Sequence, residues 1–110
     1  MKGQFNDTAR IISNGAGLEV TGPAEWDPDE SGAVIRVRVT QAEEEGQGQV
    51  VATGESAYTP SSSASWSATL IAQSGTLHPG VADAKARATV SLQNGHTEPY
   101  NWPDTVDLVS

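Results

Sequence analysis

The chain contains no cysteine, which excludes disulfides, thiolate nucleophiles and cysteine-ligated zinc and leaves packing to hold the fold. Aromatic residues are scarce, with one Phe, two Tyr and three Trp in 110 residues. A core must therefore be assembled from small aliphatic side chains around a few bulky ones. Positive charge is scarce as well: six Lys plus Arg stand against 14 Asp plus Glu, for a net charge of -8. That balance repels nucleic-acid phosphates and anionic membrane surfaces over most of the molecule. Long apolar runs are missing; none approaches the ~20 residues needed to cross a bilayer. The opening Met1-Lys2-Gly3-Gln4-Phe5-Asn6-Asp7 has no apolar core of the kind a signal peptide needs. The expectation is a soluble chain with no membrane span, and its length fits one domain over residues 1–110.

What the chain has is alternation. Ala82 to Leu92 reads Ala-Asp-Ala-Lys-Ala-Arg-Ala-Thr-Val-Ser-Leu. On a helix the alanines would scatter around the cylinder, whereas on a strand they line one face, so pattern outranks alanine's helix propensity. Ala33 to Thr40 alternates in the same way, with Ala33, Ile35, Val37 and Val39 on one side and Val34, Arg36, Arg38 and Thr40 on the other. Ser65 to Ala72 places Trp66, Ala68, Leu70 and Ala72 together, which makes Trp66 the expected core anchor. Further strands are expected over 8–13, 16–21, 49–57, 96–100 and 105–109.

Turn chemistry punctuates these segments. Asn14-Gly15 predicts a two-residue type I′ hairpin, and Asn94-Gly95 a second reversal. Gly22-Pro23 is expected to end a strand, 24–32 to form a loop, and Asn101-Trp102-Pro103-Asp104 to interrupt the chain near its last strand. Glu43-Glu44-Glu45-Gly46 reads as an acidic turn and Ser61-Ser62-Ser63 as a connection. Seven or eight short strands so arranged predict an all-β fold, an immunoglobulin-like antiparallel β-sandwich, with a small barrel as the alternative. In strand count, alternation and a central-strand Trp the chain resembles immunoglobulin-like modules of bacterial and phage surface proteins. The Cys…Trp…Cys spacing of antibody-type domains is absent, so the resemblance carries no binding residues with it.

Few residues suggest chemistry. Asp27-Pro28-Asp29-Glu30-Ser31-Gly32 matches the first half of a calcium loop, but Arg38 stands where the bidentate Glu belongs. A weaker calcium site on Asp27 and Asp29 is the remaining metal candidate, and no other cofactor is called for. Trp26, Trp102 and Tyr100, set among loop-type residues, are candidates for a sugar-stacking platform. Neither His78, before Pro79, nor His96, after a turn, sits in a nucleophile motif, and no Gly-x-Ser-x-Gly occurs. Arg36 with Arg38 and Lys85 with Arg87 form two same-face basic pairs, for which cross-strand partnership with Asp or Glu is the expectation. The leading reading is a non-catalytic structural or protein-interaction module with a protein partner. The alternative is a carbohydrate-binding module. Lysine occurs only at Lys2 and Lys85 while Ser, Thr, Gly and Ala dominate, a balance suited to an extracellular or virion surface exposed to proteases.

Overall fold

The computed structural model describes residues 1–42, 48–58 and 65–110. The expected turn at Glu43-Glu44-Glu45 and the connection at Ser61-Ser62-Ser63 lie outside these residues. Eight strands run in chain order: β1 (Lys2–Gly3), β2 (Thr8–Ile12), β3 (Gly17–Glu25), β4 (Glu30–Ala42), β5 (Gln49–Tyr58), β6 (Ser65–Ser74), β7 (Gly80–Leu92) and β8 (Thr97–Val109). Seven of them close into one barrel-like sheet in the order β3-β2-β8-β7-β4-β5-β6, with β6 returning to β3. β1 pairs with the far end of β3. Every pairing is antiparallel except β2 with β8, where Thr8 lies beside Asp107 in parallel register. The all-β class and the strand number follow the sequence expectation; the sheet itself is a single closed surface.

Alternation explains the interior. Ala82, Ala84, Ala86, Ala88 and Val90 of β7 are buried, as are Ala33, Ile35, Val37 and Val39 of β4. Small side chains on β7 leave room for bulk from its neighbours: Ala86 stands opposite Trp102 of β8. Trp66 is almost fully buried, as its strand pattern requires. Its ring meets Phe5 edge-on at 5.2 Å and Trp102 at 5.7 Å, so three aromatic residues supply the bulk at one region of the core. The alanine row and the aromatic cluster are two halves of one packing solution.

Two of the expected breaks in the chain, at Gly22-Pro23 and at 101–104, are absent. β3 continues through Gly22-Pro23 to Glu25, so the turn shrinks to 26–29. Pro23 lies opposite Gln4, whose N–H donates to the Pro23 carbonyl at 3.2 Å, but proline has no N–H to return. The Gln4 carbonyl instead accepts from Trp66 Nε1 at 2.7 Å. Gly22 belongs to the same device, because a Cβ there would collide with the Gln4 carbonyl oxygen and stand 2.7 Å from Trp66 Nε1. β8 likewise runs unbroken through Pro99, Trp102 and Pro103. Its pairing with β2 is confined to Asp107–Val109, so over most of its length only β7 needs ladder bonds from it. Prolines facing the unladdered side cost nothing. At Asn14-Gly15 the reversal occurs where expected and with the positive φ at both central residues that a type I′ turn requires, 57° at Asn14 and 91° at Gly15, and the Ala16 N–H donates to the Ser13 carbonyl at 3.1 Å; Ser13 is at positive φ as well, so the turn winds as a 3-10 segment over Ser13–Gly15.

Closure depends on close approach at Gly54 of β5, where a Cβ would collide with the Thr69 carbonyl of β6. Gln41, buried at the end of β4, receives the His78 N–H on Oε1 at 3.1 Å and donates Nε2 to the His78 carbonyl at 2.8 Å. It thereby ties the approach to β7 onto β4. Trp66→Ala is expected to cost about 3–5 kcal/mol in chemical denaturation, the range for truncating a buried Trp. Gly22→Ala should also lower the midpoint markedly, because it expels the Gln4 carbonyl from its seat. A wild-type midpoint for Gly22→Ala would mean that the Gln4 strap is not part of the stable fold.

Candidate interaction face

The residues singled out from the sequence divide between the core and one end of the barrel. Trp102 is not a loop residue. It points inward from the middle of β8, 9% exposed, against Phe5 and Trp66. A Cβ on Gly3 would stand 2.8 Å from its ring, so the N-terminal segment lies directly over it. Trp102 Nε1 is buried and has no acceptor among the described residues. Trp26 and Tyr100 are half-buried and pack on the margin of the core. The three rings therefore do not assemble into one exposed stacking surface; the one with the widest apolar contact is inside.

Asp27 and Asp29 belong to the turn between β3 and β4. Asp27 Oδ2 accepts from the Met1 α-amino group at 3.3 Å, and buried Glu30 accepts from the same group at 2.7 Å. Glu30 Oε1 also accepts the Asp27 N–H at 2.6 Å. Burial pushes the α-amino pKa down, but the hydrogen bonds to Glu30 and Asp27 outweigh it and leave it above 8.0. Asp29 is exposed, and its carbonyl accepts the Gln93 N–H at 2.8 Å. Among the described residues no group of three His, Cys, Asp or Glu side chains is placed to hold a metal ion. Tyr100 Oη donates to Glu98 Oε2 at 2.8 Å. That bond, helped by partial desolvation and by the negative charge around it, pushes the phenol up to about 12.

The basic pairs form the more informative surface. β4 and β7 lie side by side in a register that sets Arg36 opposite Arg87 and Arg38 opposite Lys85. Four of the six basic residues of an acidic protein thus occupy one small area of the outer face. The expected partnership with carboxylates is met once: Arg36 Nε donates to Glu55 Oε2 at 3.1 Å, between side chains 66% and 62% exposed. Such an exposed pair contributes little. Among the described residues no carboxylate pairs with Arg38, Lys85 or Arg87. The flanking strands place Thr53 of β5 beside Arg38 and Asn101 of β8 beside Arg87. Together these residues border an open groove of about 500 Å³, floored by the backbone at Val37, Gly54 and Ala86. Sequence alternation identified which side chains share a face of each strand, but the pairing of like with like is set by strand register.

No family model matches the chain, and no curated protein matches it. Among solved structures it is similar to murine CRIg, at 7% sequence identity and a TM-score of 0.48, over 97% of this chain and 94% of that one.

Like charges directly opposite on neighbouring strands are destabilising. Lys85→Gln with Arg87→Gln should therefore raise the denaturation midpoint at low salt, by a few tenths of a kcal/mol or about 1 kcal/mol at most. The gain should shrink as salt screens the repulsion. A lowered midpoint would show that the four cations are held by partners within the fold. For Tyr100, a folded-state pKa above the unfolded value means that its bond to Glu98 supports the fold fully below about pH 10 and is lost as the pH climbs towards 12. Glu98→Gln should move the late phenol titration back towards about 10, read by ultraviolet difference spectroscopy. An unmoved titration would assign the shift to burial instead.

Proposed function

We propose that this chain is a non-catalytic, immunoglobulin-like protein-interaction module that presents the outer face of β5, β4, β7 and β8 to a protein partner. The observation that carries the reading is the concentration of four cations in register on that face, three of them with no carboxylate partner among the described residues. A folding domain gains nothing from setting Arg36 against Arg87 and Arg38 against Lys85, so an external partner supplies the reason. Three of the face's strands are 13 residues long and all of it is ladder-bonded, which makes it a rigid, preformed platform.

The immunoglobulin-like part of the reading is supported by how the N-terminal segment divides. β1 pairs antiparallel with β3, whereas β2 runs parallel to β8. On this reading β1-β3-β6 and β2-β8-β7-β4-β5 are the two layers of a sandwich, drawn together by ladder pairing of β2 with β3 and of β5 with β6. The non-catalytic part is supported by the histidines. The ring nitrogens of His78 lie against the carbonyls of Pro79 and Ala42, and His96 is exposed in a turn. No helix is long and apolar enough to cross a membrane among the described residues. The scarcity of lysine supports a setting exposed to proteases, on a bacterial or virion surface.

Site-specific photo-crosslinking tests the interaction reading. A photoreactive residue at Thr53 or Asn101, flanking the cations, should yield discrete protein adducts in the native setting, whereas one at Glu19 on β3 should not. Adducts confined to Glu19, or none from the face, would overturn it. Adducts to glycan from Trp26 would favour the carbohydrate-binding alternative.

A further inference from the structure

We infer that the four-cation face binds an extended acidic polypeptide segment whose carboxylates fall on alternate residues. The inference rests on the interaction-module reading and names the chemistry of the partner. Its starting point is spacing. Arg36 and Arg87 face each other across one rung of the β4–β7 ladder, and Arg38 and Lys85 face each other two residues along. Directly opposed residues stand roughly 4.5–5.5 Å apart, so one carboxylate fits between the two cations of a rung. The rungs are separated by about 6.6–6.8 Å, two strand residues. A ligand chain in extended conformation has that same two-residue repeat, so side chains at i and i+2 fall on successive rungs.

The side-chain chemistry agrees with this. The upper rung is two guanidiniums, each a planar fork that binds a carboxylate through paired N–H donors. The lower rung is one guanidinium and one ammonium. Thr53 and Asn101 stand at the sides of the groove, where a polar ligand backbone or side chain would pass. All four cations are exposed, so they pay little desolvation before a partner arrives.

The surroundings limit the length of the anion. Glu55 closes the β5 side of the upper rung, and Asp83 lies two residues before Lys85 on the same face of β7. Beyond the patch only Lys2 and Arg10 are basic, in a molecule of net charge -8. A nucleic acid or a sulfated glycan carries its charge far past two rungs and would run onto acidic surface. A polypeptide need place only two carboxylates here and can be neutral or basic beyond them.

The test uses the whole chain, labelled for amide NMR, and a short synthetic peptide alternating Glu and Thr. The peptide should shift the amides of Arg36, Arg38, Lys85 and Arg87 together and saturably. Lys85→Gln with Arg87→Gln should weaken binding at least about tenfold, the loss expected for charge-assisted hydrogen bonds. This variant relieves repulsion and so should remain folded. Equal binding of the Gln/Thr peptide would overturn the inference, as would tighter binding of a sulfated oligosaccharide or a DNA oligonucleotide at the same amides. Concentration-dependent self-association abolished by the same double substitution would assign the face to a second copy and overturn it too. Failure of the interaction reading is distinguishable: a photo-crosslinked partner indifferent to the double substitution overturns the acidic-segment assignment alone, whereas the absence of any adduct from Thr53 and Asn101 overturns both.

Discussion

The hydrogen bond from Trp66 Nε1 to the Gln4 carbonyl, at 2.7 Å, joins the bulkiest buried side chain to the segment that covers it. A buried indole N–H without an acceptor would forfeit on the order of 1–3 kcal/mol. The acceptor is available because Pro23, opposite Gln4, has no N–H to occupy it, and it approaches closely because residue 22 has no side chain. A dipeptide that looks like a chain breaker is thus the seat of the strap. Once the strap is placed, Phe5 meets Trp66 and Gly3 lies on Trp102, so the aromatic cluster is covered from one side by the first few residues of the chain. The alanine row of β7 completes the arrangement from the other side by leaving volume for the two indoles.

How much of this was legible in the sequence depended on whether a feature is local. The inner and outer faces of β4 and β7 followed from alternation alone, and Trp66 was placed in the core from the same signal. Pro103 and Pro23 misled, because a proline disrupts a ladder only when a neighbouring strand needs its N–H, and that depends on which edge is occupied. Trp102, read as a loop residue between Asn101 and Pro103, is interior for this reason. The basic face was half visible: the pairs Arg36–Arg38 and Lys85–Arg87 could be assigned to faces, but no local signal states the register that brings them together. Opposite-sign pairing was the reasonable expectation, and β4 beside β7 in this register defeats it.

The charge distribution gives the molecule two characters at different distances. From afar, a partner feels the field of an acidic protein, screened within roughly a Debye length of about 8 Å at physiological salt. At contact it meets four cations of which one, Arg36, is paired with a carboxylate among the described residues. Broadly acidic partners are discouraged at long range, and those with a small local acidic feature are held at short range. This is discrimination by unfavourable field as much as by attraction.

The parallel pairing of β2 with β8 places Thr8 beside Asp107. Those residues are separated by nearly the whole described chain, so their contact is among the most costly in loop-closure entropy and belongs to the slow, non-local class of folding events. During synthesis the β3–β6 and β4–β5 ladders have both strands available early, whereas β2 must wait for β8 to leave the ribosome. Until then the barrel stays open along one seam, with the edge of β2 and the still-unmatched side of β7 exposed. The interval between emergence of β7 and emergence of β8 is therefore when this chain is most in need of protection from pairing with its neighbours.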